Sequence, residues 1–410
     1  MKLPLGCCRL QVLAAALGVC MTIGFALQLL GMPFQQRRPP AELAPRRAPP
    51  RTAALEEEGS RQPRCHIVFL KTHKTGGSTI VNLLHRYGES RGLRFALPHR
   101  YQFGYPQPFQ AQRVRGYRPG GPPFDILCHH MRFNPPEVEK VMAPDSFYFS
   151  IVREPAALAE SAFAYYRAVA PAFRRAGTLA RFLEAPERYY DPAERGNHYA
   201  RNLLWFDFGL PPPPPRPGPE EVQAALAGLE RRFSLVLLAE HFDESLVLLR
   251  EALGWAEADA DAFRHNGRSP RAVTRLAPDQ AARLRAWNDL DGELYAHFNR
   301  SFWRRVEAFG PGRLRDEVAR LRERRRALAG LCLQGGGPVE AAEIPDRAMR
   351  PFQLGQAPIL GYALRSGLGP AERLLCTRLV TPELQYKDAL DARQFGANIS
   401  AGPAPAVGGR

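Results

Sequence analysis

Cysteine is sparse in this sequence: seven residues in 410, of which Cys7, Cys8 and Cys20 fall at or in the N-terminal apolar run. Only Cys65, Cys128, Cys332 and Cys376 remain for the body, which excludes a small disulfide-stapled scaffold. Among the three possible pairings, Cys332 with Cys376 near the C-terminus is the preferred bridge, and Cys65 and Cys128, beside apolar runs, read as buried thiols. Acidic residues are outnumbered by basic ones, 41 to 56, giving a net charge of +15. That balance suits an anionic partner or a nucleic acid and does not by itself choose between them. Much of the excess is arginine, densest in Arg313–Arg326, where Val318 and Leu321 mark the apolar side of a solvated, mixed-charge helix. No internal repeat and no convincing metal-ligand cluster is present. With 45% hydrophobic residues the chain can bury a sizeable core, and one main domain is expected.

Long uncharged runs are also missing, with one exception. Leu10 to Phe34 carries no charge, long enough to cross about 30 Å of hydrocarbon as a helix, and longer than the apolar region of a cleaved signal peptide. A span over residues 10–32 is therefore expected, after a tail of residues 1–9. The flanking charges do not set its orientation: Lys2 and Arg9 precede it, while Arg37, Arg38, Arg46, Arg47 and Arg51 follow. Two glycosylation sequons, at Asn299 and Asn398, have meaning only in a secretory lumen. Residues 33–62, rich in Pro, Arg, Ala and Glu, read as a flexible stem. The folded body begins near Cys65, and the proline run Pro211–Pro215 reads as an exposed loop.

Within the body, apolar runs alternate with helical periods, the pattern of a mostly parallel α/β sheet flanked by helices. Strands are expected at His66–Leu70, Asp125–Cys128, Phe147–Val152 and Ser234–Ala239. Helices are expected at Ser78–Tyr87, stopped by Gly88, and at Pro155–Tyr166 and Asp243–Leu253. Residues 331–410, rich in Gly and Pro, wrap the core or pack as a small extension.

The most informative stretch is CHIVFLKTHKTGGSTIVNLL, an apolar strand running through Lys71-Thr72-His73-Lys74-Thr75-Gly76-Gly77-Ser78-Thr79 into a helix. Two glycines let consecutive amides converge, the helix start adds positive potential, hydroxyls from Thr75, Ser78 and Thr79 can donate, and Lys74 brings full charge. A triphosphate loop would place lysine after the glycines; here it precedes them. The strand ending at Val152 is followed by Arg153-Glu154-Pro155, with no carboxylate placed for magnesium. Arg153 and, two helical turns on, Ser161 can face the same carboxyl edge, where open parallel sheets bind ligands. His129 and His130, in CHHMRFN, end another strand on that edge.

These segments resemble the 5′-phosphosulfate and 3′-phosphate motifs of sulfotransferases. The stretches KTHKTGGST, CHHMRFN, FYFSIVREP, YYRAVAPAF, LLAEHFDESLVLLR, AWNDLD, HFNRSFW, ILGY and TPELQY are similar to the galactose 3-O-sulfotransferase family across residues 65–387. Within the family, the wording of FYFSIVREP, APAF, WFDFG and LCLQ is nearest to the branch acting on glycoprotein β-galactosides, with the galactosylceramide branch next. The resemblance implies a P-loop-like sulfotransferase fold in a type II Golgi membrane protein, with a lumenal catalytic domain over residues 63–330 and an extension over 331–410. It implies 3′-phosphoadenosine 5′-phosphosulfate as donor, no metal, no nucleic-acid partner, and β-galactoside-terminated glycans of glycoproteins or glycolipids as acceptors.

Carried over by position, Lys74 lies near the transferred group, Lys71, Thr72 and Thr75–Thr79 cradle the 5′-phosphate, and Arg153 with Ser161 hold the 3′-phosphate. His130 is the expected general base, by resemblance to the histidine at the matching strand end, with His73 as a further candidate. Arg132, Tyr199 and Asn202 are the acceptor candidates. A sugar or nucleoside kinase is the competing reading of the phosphate loop.

Overall fold

The computed structural model describes residues 62–211, 215–354 and 358–396; the expected span, most of the stem, the Asn398 sequon and the centre of the proline run lie outside them. Among the described residues no helix is long and apolar enough to cross a membrane.

Five strands, β1 (Ile67–Leu70), β2 (Phe95–Ala96), β3 (Ile126–Leu127), β4 (Phe147–Val152) and β5 (Leu235–Leu238), form one parallel sheet in the order β2-β3-β1-β4-β5. β1 is central and all four of its residues are fully buried, as a strand covered on both faces must be. Its apolar run continues until Lys71, and there the strand stops. Because the chain leaves β1 toward one side of the sheet and returns to the other through β4, the carboxyl ends of β1 and β4 flank the crevice where such sheets hold ligands.

Nine helices of eight or more residues are described: α1 (Gly77–Arg91), α2 (Pro155–Tyr166), α3 (Pro219–Arg232), α4 (Phe242–Leu253), α5 (Pro278–Trp287), α6 (Asp289–Phe309), α7 (Pro311–Cys332), α8 (Pro370–Val380) and α9 (Glu383–Phe395). α4 and α6 pack on β5, α5 on α2, and α8 and α9 on α1. The arginines of α7 are the solvated face expected, with Arg322 and Arg325 paired to Asp243 and Arg324 to Glu257 and Asp261.

Two expectations need correction. α1 does not stop at Gly88 but runs to Arg91 and ends on Gly92, at φ 64°. Gly88 is instead a packing residue: a Cβ there would lie 2.4 Å from Phe95 and 2.8 Å from Ile126, so only glycine lets α1 sit on the sheet. The strand at Phe95–Ala96 was not foreseen because two residues carry no alternation to read.

The described residues beyond 331 are built into the fold. β6 (Val339–Glu340) and β7 (Leu360–Gly361) form a small antiparallel pair. The Asn82 amide on α1 donates to the carbonyls of Arg378 (3.0 Å) and Thr381 (3.3 Å), fixing the α8–α9 junction. Cys332 and Cys376 form a disulfide across a sequence separation of 44, inside a buried cluster with Phe263, Tyr362 and Leu379; Cys65 and Cys128 are free thiols, Cys128 buried as expected and Cys65 only partly so.

Replacing both Cys332 and Cys376 by serine is expected to destabilise the fold by about 2–4 kcal/mol, the loop-closure contribution of a bridge of this span. Thermal unfolding without reductant checks this; an unchanged midpoint would show that the bridge constrains nothing.

Candidate functional site

One cavity of about 750 Å³ opens at the carboxyl edge of the sheet, within the size range of small-ligand sites. Lys71, Thr72, His73, Lys74, Gly76, Gly77 and Ser78 from the β1–α1 loop line it, together with His130 after β3, Arg153 after β4, and Ser161 on α2. The two phosphate-motif segments, far apart in sequence, thus share one wall.

The loop turns because Lys74 and Gly76 adopt positive φ, 62° and 85°. Gly76 is the residue before α1, and the amides of Thr75, Gly76, Gly77 and Ser78 donate to no protein acceptor among the described residues. A helix start with free amides over a cavity is an anion cradle. The hydroxyls behave differently from expectation. Thr72 donates to the Ile151 carbonyl and Thr75 to that of Thr72. Thr79 accepts from the His265 amide. Thr75 and Thr79 do not line the cavity: they brace the loop, and the cradle is mainly backbone.

The lysines also have separate fates. The Lys71 ammonium is buried against both oxygens of Glu383, at 2.6 and 2.7 Å. Lys74 lies half-buried with its ammonium 3.6 Å from the centre of the Tyr165 ring. No carboxylate lies within ion-pairing distance of it among the described residues. Desolvation in the cavity, then repulsion from Arg268, Arg153 and Lys71, pulls it down to about 7. Arg153 donates to the Lys74 carbonyl at 3.0 Å, so β4 helps hold the Lys74 backbone.

Two imidazoles lie side by side. The His73 and His130 rings stack with centroids 3.9 Å apart and planes 8° from parallel. His130 Nδ1 lies 2.9 Å from the Lys71 carbonyl; a carbonyl only accepts, so Nδ1 carries the proton and Nε2 keeps its lone pair. Burial and neighbouring positive groups hold His130 well below 6.5, hence neutral. His73 faces Asp207 through Nδ1, at 2.9 and 3.0 Å, and Asp207 also accepts from the His73 amide and the Tyr105 hydroxyl. His129, adjacent to His130 in sequence, does not line the cavity: it meets His85 at 3.4 Å. His85, Cys128 and His129 form the one group that could hold a metal ion among the described residues, and none of the three lines the cavity.

Tyr199 lines the cavity and stacks on Tyr166 with centroids 3.8 Å apart. The other acceptor candidates do not reach it. Asn202 is buried: its side chain donates to Asp289, and its amide to Asn288. Arg132 lies over Phe206 and donates to the Leu210 carbonyl. AWNDLD proves structural in the same way, since Asp291 accepts from the amides of Leu204 and Trp205.

Three contributors were missed. Asp207 is an acid in an otherwise apolar stretch, LLWFDFG, a signal that was available. Segment 264–268 lines the cavity with Arg264 and Arg268, the latter paired to Glu160, while Asn266 donates to Ser78. Glu383 lies in TPELQY, a stretch that carries the family resemblance, but nothing in its local pattern gave the residue a role.

The family profile described as galactose-3-O-sulfotransferase matches residues 10–394. The chain is 50% identical to galactose-3-O-sulfotransferase 4 of Homo sapiens, covering 95% of this chain and 94% of that protein. It is 51% identical to galactose-3-O-sulfotransferase 2 of Homo sapiens, covering 81% and 84%. With galactosylceramide sulfotransferase of Bos taurus it shares 46%, covering 88% and 85%. No solved structure matches. A phosphate cradle and a basic wall on one parallel-sheet edge, joined to this extent of identity, give the conclusion: the chain is an enzyme of the galactose-3-O-sulfotransferase family.

Proposed function

We propose that the protein transfers a sulfuryl group from 3′-phosphoadenosine 5′-phosphosulfate to the 3-hydroxyl of terminal β-galactose on glycoprotein glycans. It works in the Golgi lumen, anchored by residues 10–32. The observation that carries this is the convergence on one cavity of the free loop amides, Lys74, Arg153, Ser161 and the His73–His130 pair. Their chemistry fits the donor: free amides and an unpaired ammonium at one end, a guanidinium and a hydroxyl on the neighbouring strand and helix. When bound, the donor supplies an electrophilic sulfuryl group on a phosphate leaving group.

Around it the residues divide the work. The amides of Gly76–Ser78 hold the 5′-phosphate, and Arg153 with Ser161 the 3′-phosphate. Lys74 offsets charge growing on the leaving oxygen, in a site where such charge is poorly screened. His130, which lines the cavity with its Nδ1 held by the Lys71 carbonyl, takes the proton of the acceptor hydroxyl on Nε2. Tyr199 and its partner Tyr166 offer ring faces to the galactose. The glycoprotein acceptor is favoured by the motif wording; a ceramide-linked galactose, the acceptor named in a relative 46% identical, is the alternative on the same site. The kinase reading loses support because Glu154, beside the β4 tip, is engaged by the Ala157 amide and Arg285.

Four outcomes test this. Sulfate-labelled donor incubated with lactosamine, core 1 disaccharide and galactosylceramide should label the first two more strongly, with sulfate on the galactose 3-hydroxyl; sulfate at another position would overturn the assignment. His130→Ala should keep donor binding while turnover falls about 10²–10⁴-fold, the usual contribution of a positioned base. Lys74→Ala should lose donor affinity and rate together, the rate by about 10²–10³-fold. Because only the ammonium form of Lys74 attracts phosphate and its pKa in the free protein is about 7, kcat/KM for the donor should fall as pH rises above about 7. Donor binding should take up a proton there, visible by calorimetry in buffers of different ionisation heat.

A further inference from the structure

We propose that Glu383 is a positioning residue of the donor site, a carboxylate from the C-terminal region that staples the two ends of the phosphate loop together. The inference rests on the donor reading given above.

Glu383 opens α9. The TPELQY stretch carries no chemistry by position in the sequence, being 312 residues from Lys71 and 305 from Ser78. In space it meets both. Lys71, at the end of β1, donates to Oε1 and Oε2 at 2.6 and 2.7 Å; Ser78, in the first turn of α1, donates to Oε2 at 2.7 Å. One buried carboxylate therefore joins the residue at which the strand stops to the residue at which the helix has started. The segment between them carries the free amides and Lys74. Ser78 is held from a second side by the Asn266 amide at 2.9 Å, and Asn82 anchors the backbone just before Glu383. Gly77 leaves room for this: a Cβ there would sit 3.0 Å from Lys71 Cγ.

A buried ion pair is poor evidence for stability, because desolvating two charges offsets most of their attraction. Its placement is what gives it meaning. A lysine in a phosphate loop left without a partner would compete with the amides for the ligand's charge and would repel Lys74. Paired to Glu383, Lys71 serves as a strut, and Lys74 remains the cation of the loop with no carboxylate partner among the described residues. The loop is then preorganised for an anion before one arrives, which lowers the ordering cost of binding.

The test uses the full chain in detergent, with adenosine 3′,5′-bisphosphate as the probe in calorimetry and steady-state kinetics alongside. Glu383→Gln keeps the shape but removes the charge. It should weaken bisphosphate binding about tenfold or more, the loss of a charge-assisted bond, and raise donor KM, while acceptor KM stays unchanged. Glu383→Asp should recover part of the loss. In a Lys71→Met background the Glu383→Gln change should add little, since the partner is gone. Should the Glu383 variants fail to fold, Ser78→Ala removes one arm of the staple alone and should weaken bisphosphate binding at least threefold. Unchanged binding in a folded Glu383→Gln protein, or unchanged binding in Ser78→Ala, would overturn the proposal. Tighter binding would also overturn it, showing that the carboxylate blocks the cradle. If the wild-type chain itself does not bind the bisphosphate, the donor reading fails instead.

Discussion

Uncompensated positive charge, held in one cavity at the carboxyl edge of a parallel sheet, is the constraint on which the rest of this structure depends. Lys71, Lys74, Arg153, Arg264 and Arg268 line the same space, and like charges at such range repel strongly where water is partly excluded. Two of them are neutralised by buried acids, Lys71 by Glu383 and Arg268 by Glu160. Lys74 is left facing the cavity against the Tyr165 ring. Desolvation in the cavity, reinforced by this crowding, pulls its ammonium down to about 7. The free protein is in this sense incomplete, and the donor proposed above, with phosphates at both ends of a nucleoside, has the charge that complements it.

Holding that arrangement requires elements from the whole described chain. The loop comes from β1 and α1, the guanidinium of Arg153 from β4, the imidazole of His130 from β3, and the acids from α2 and α9. Segment 264–268 closes one side, and described residues between 338 and 385, bound by the Cys332–Cys376 bridge and by Asn82, close another. The C-terminal stretch is therefore part of the site and not an appendage to it. The stacked His73 and His130 are fixed from opposite sides, by Asp207 and by the Lys71 carbonyl, so each presents a defined nitrogen.

Much of this was legible along the chain. β4 and α2 fall at Phe147–Val152 and Pro155–Tyr166 as read from their apolar periods and the proline at the helix start. The phosphate loop was legible because its glycines, lysines and hydroxyls are consecutive. The acceptor candidates were not: Asn202 and Arg132 are polar residues near aromatic ones, a pattern that serves a buried hydrogen-bond network as readily as a saccharide. Only the partners, Asp289 and the Leu210 carbonyl, show which task they perform.

By itself, then, the sequence determined the parallel α/β architecture and brought the loop with Lys74, Arg153 and Ser161 to one sheet edge, because periodicity and local turn chemistry are properties of neighbouring residues; the choice of His130 came from the family resemblance. The tertiary structure alone decided which lysine is free and which is a strut. It alone showed that the threonine hydroxyls turn inward, and that Asp207 and Glu383 belong to the site. Those outcomes depend on which carboxylate the fold delivers to a buried cation, and a contact across about three hundred residues leaves no trace in local pattern.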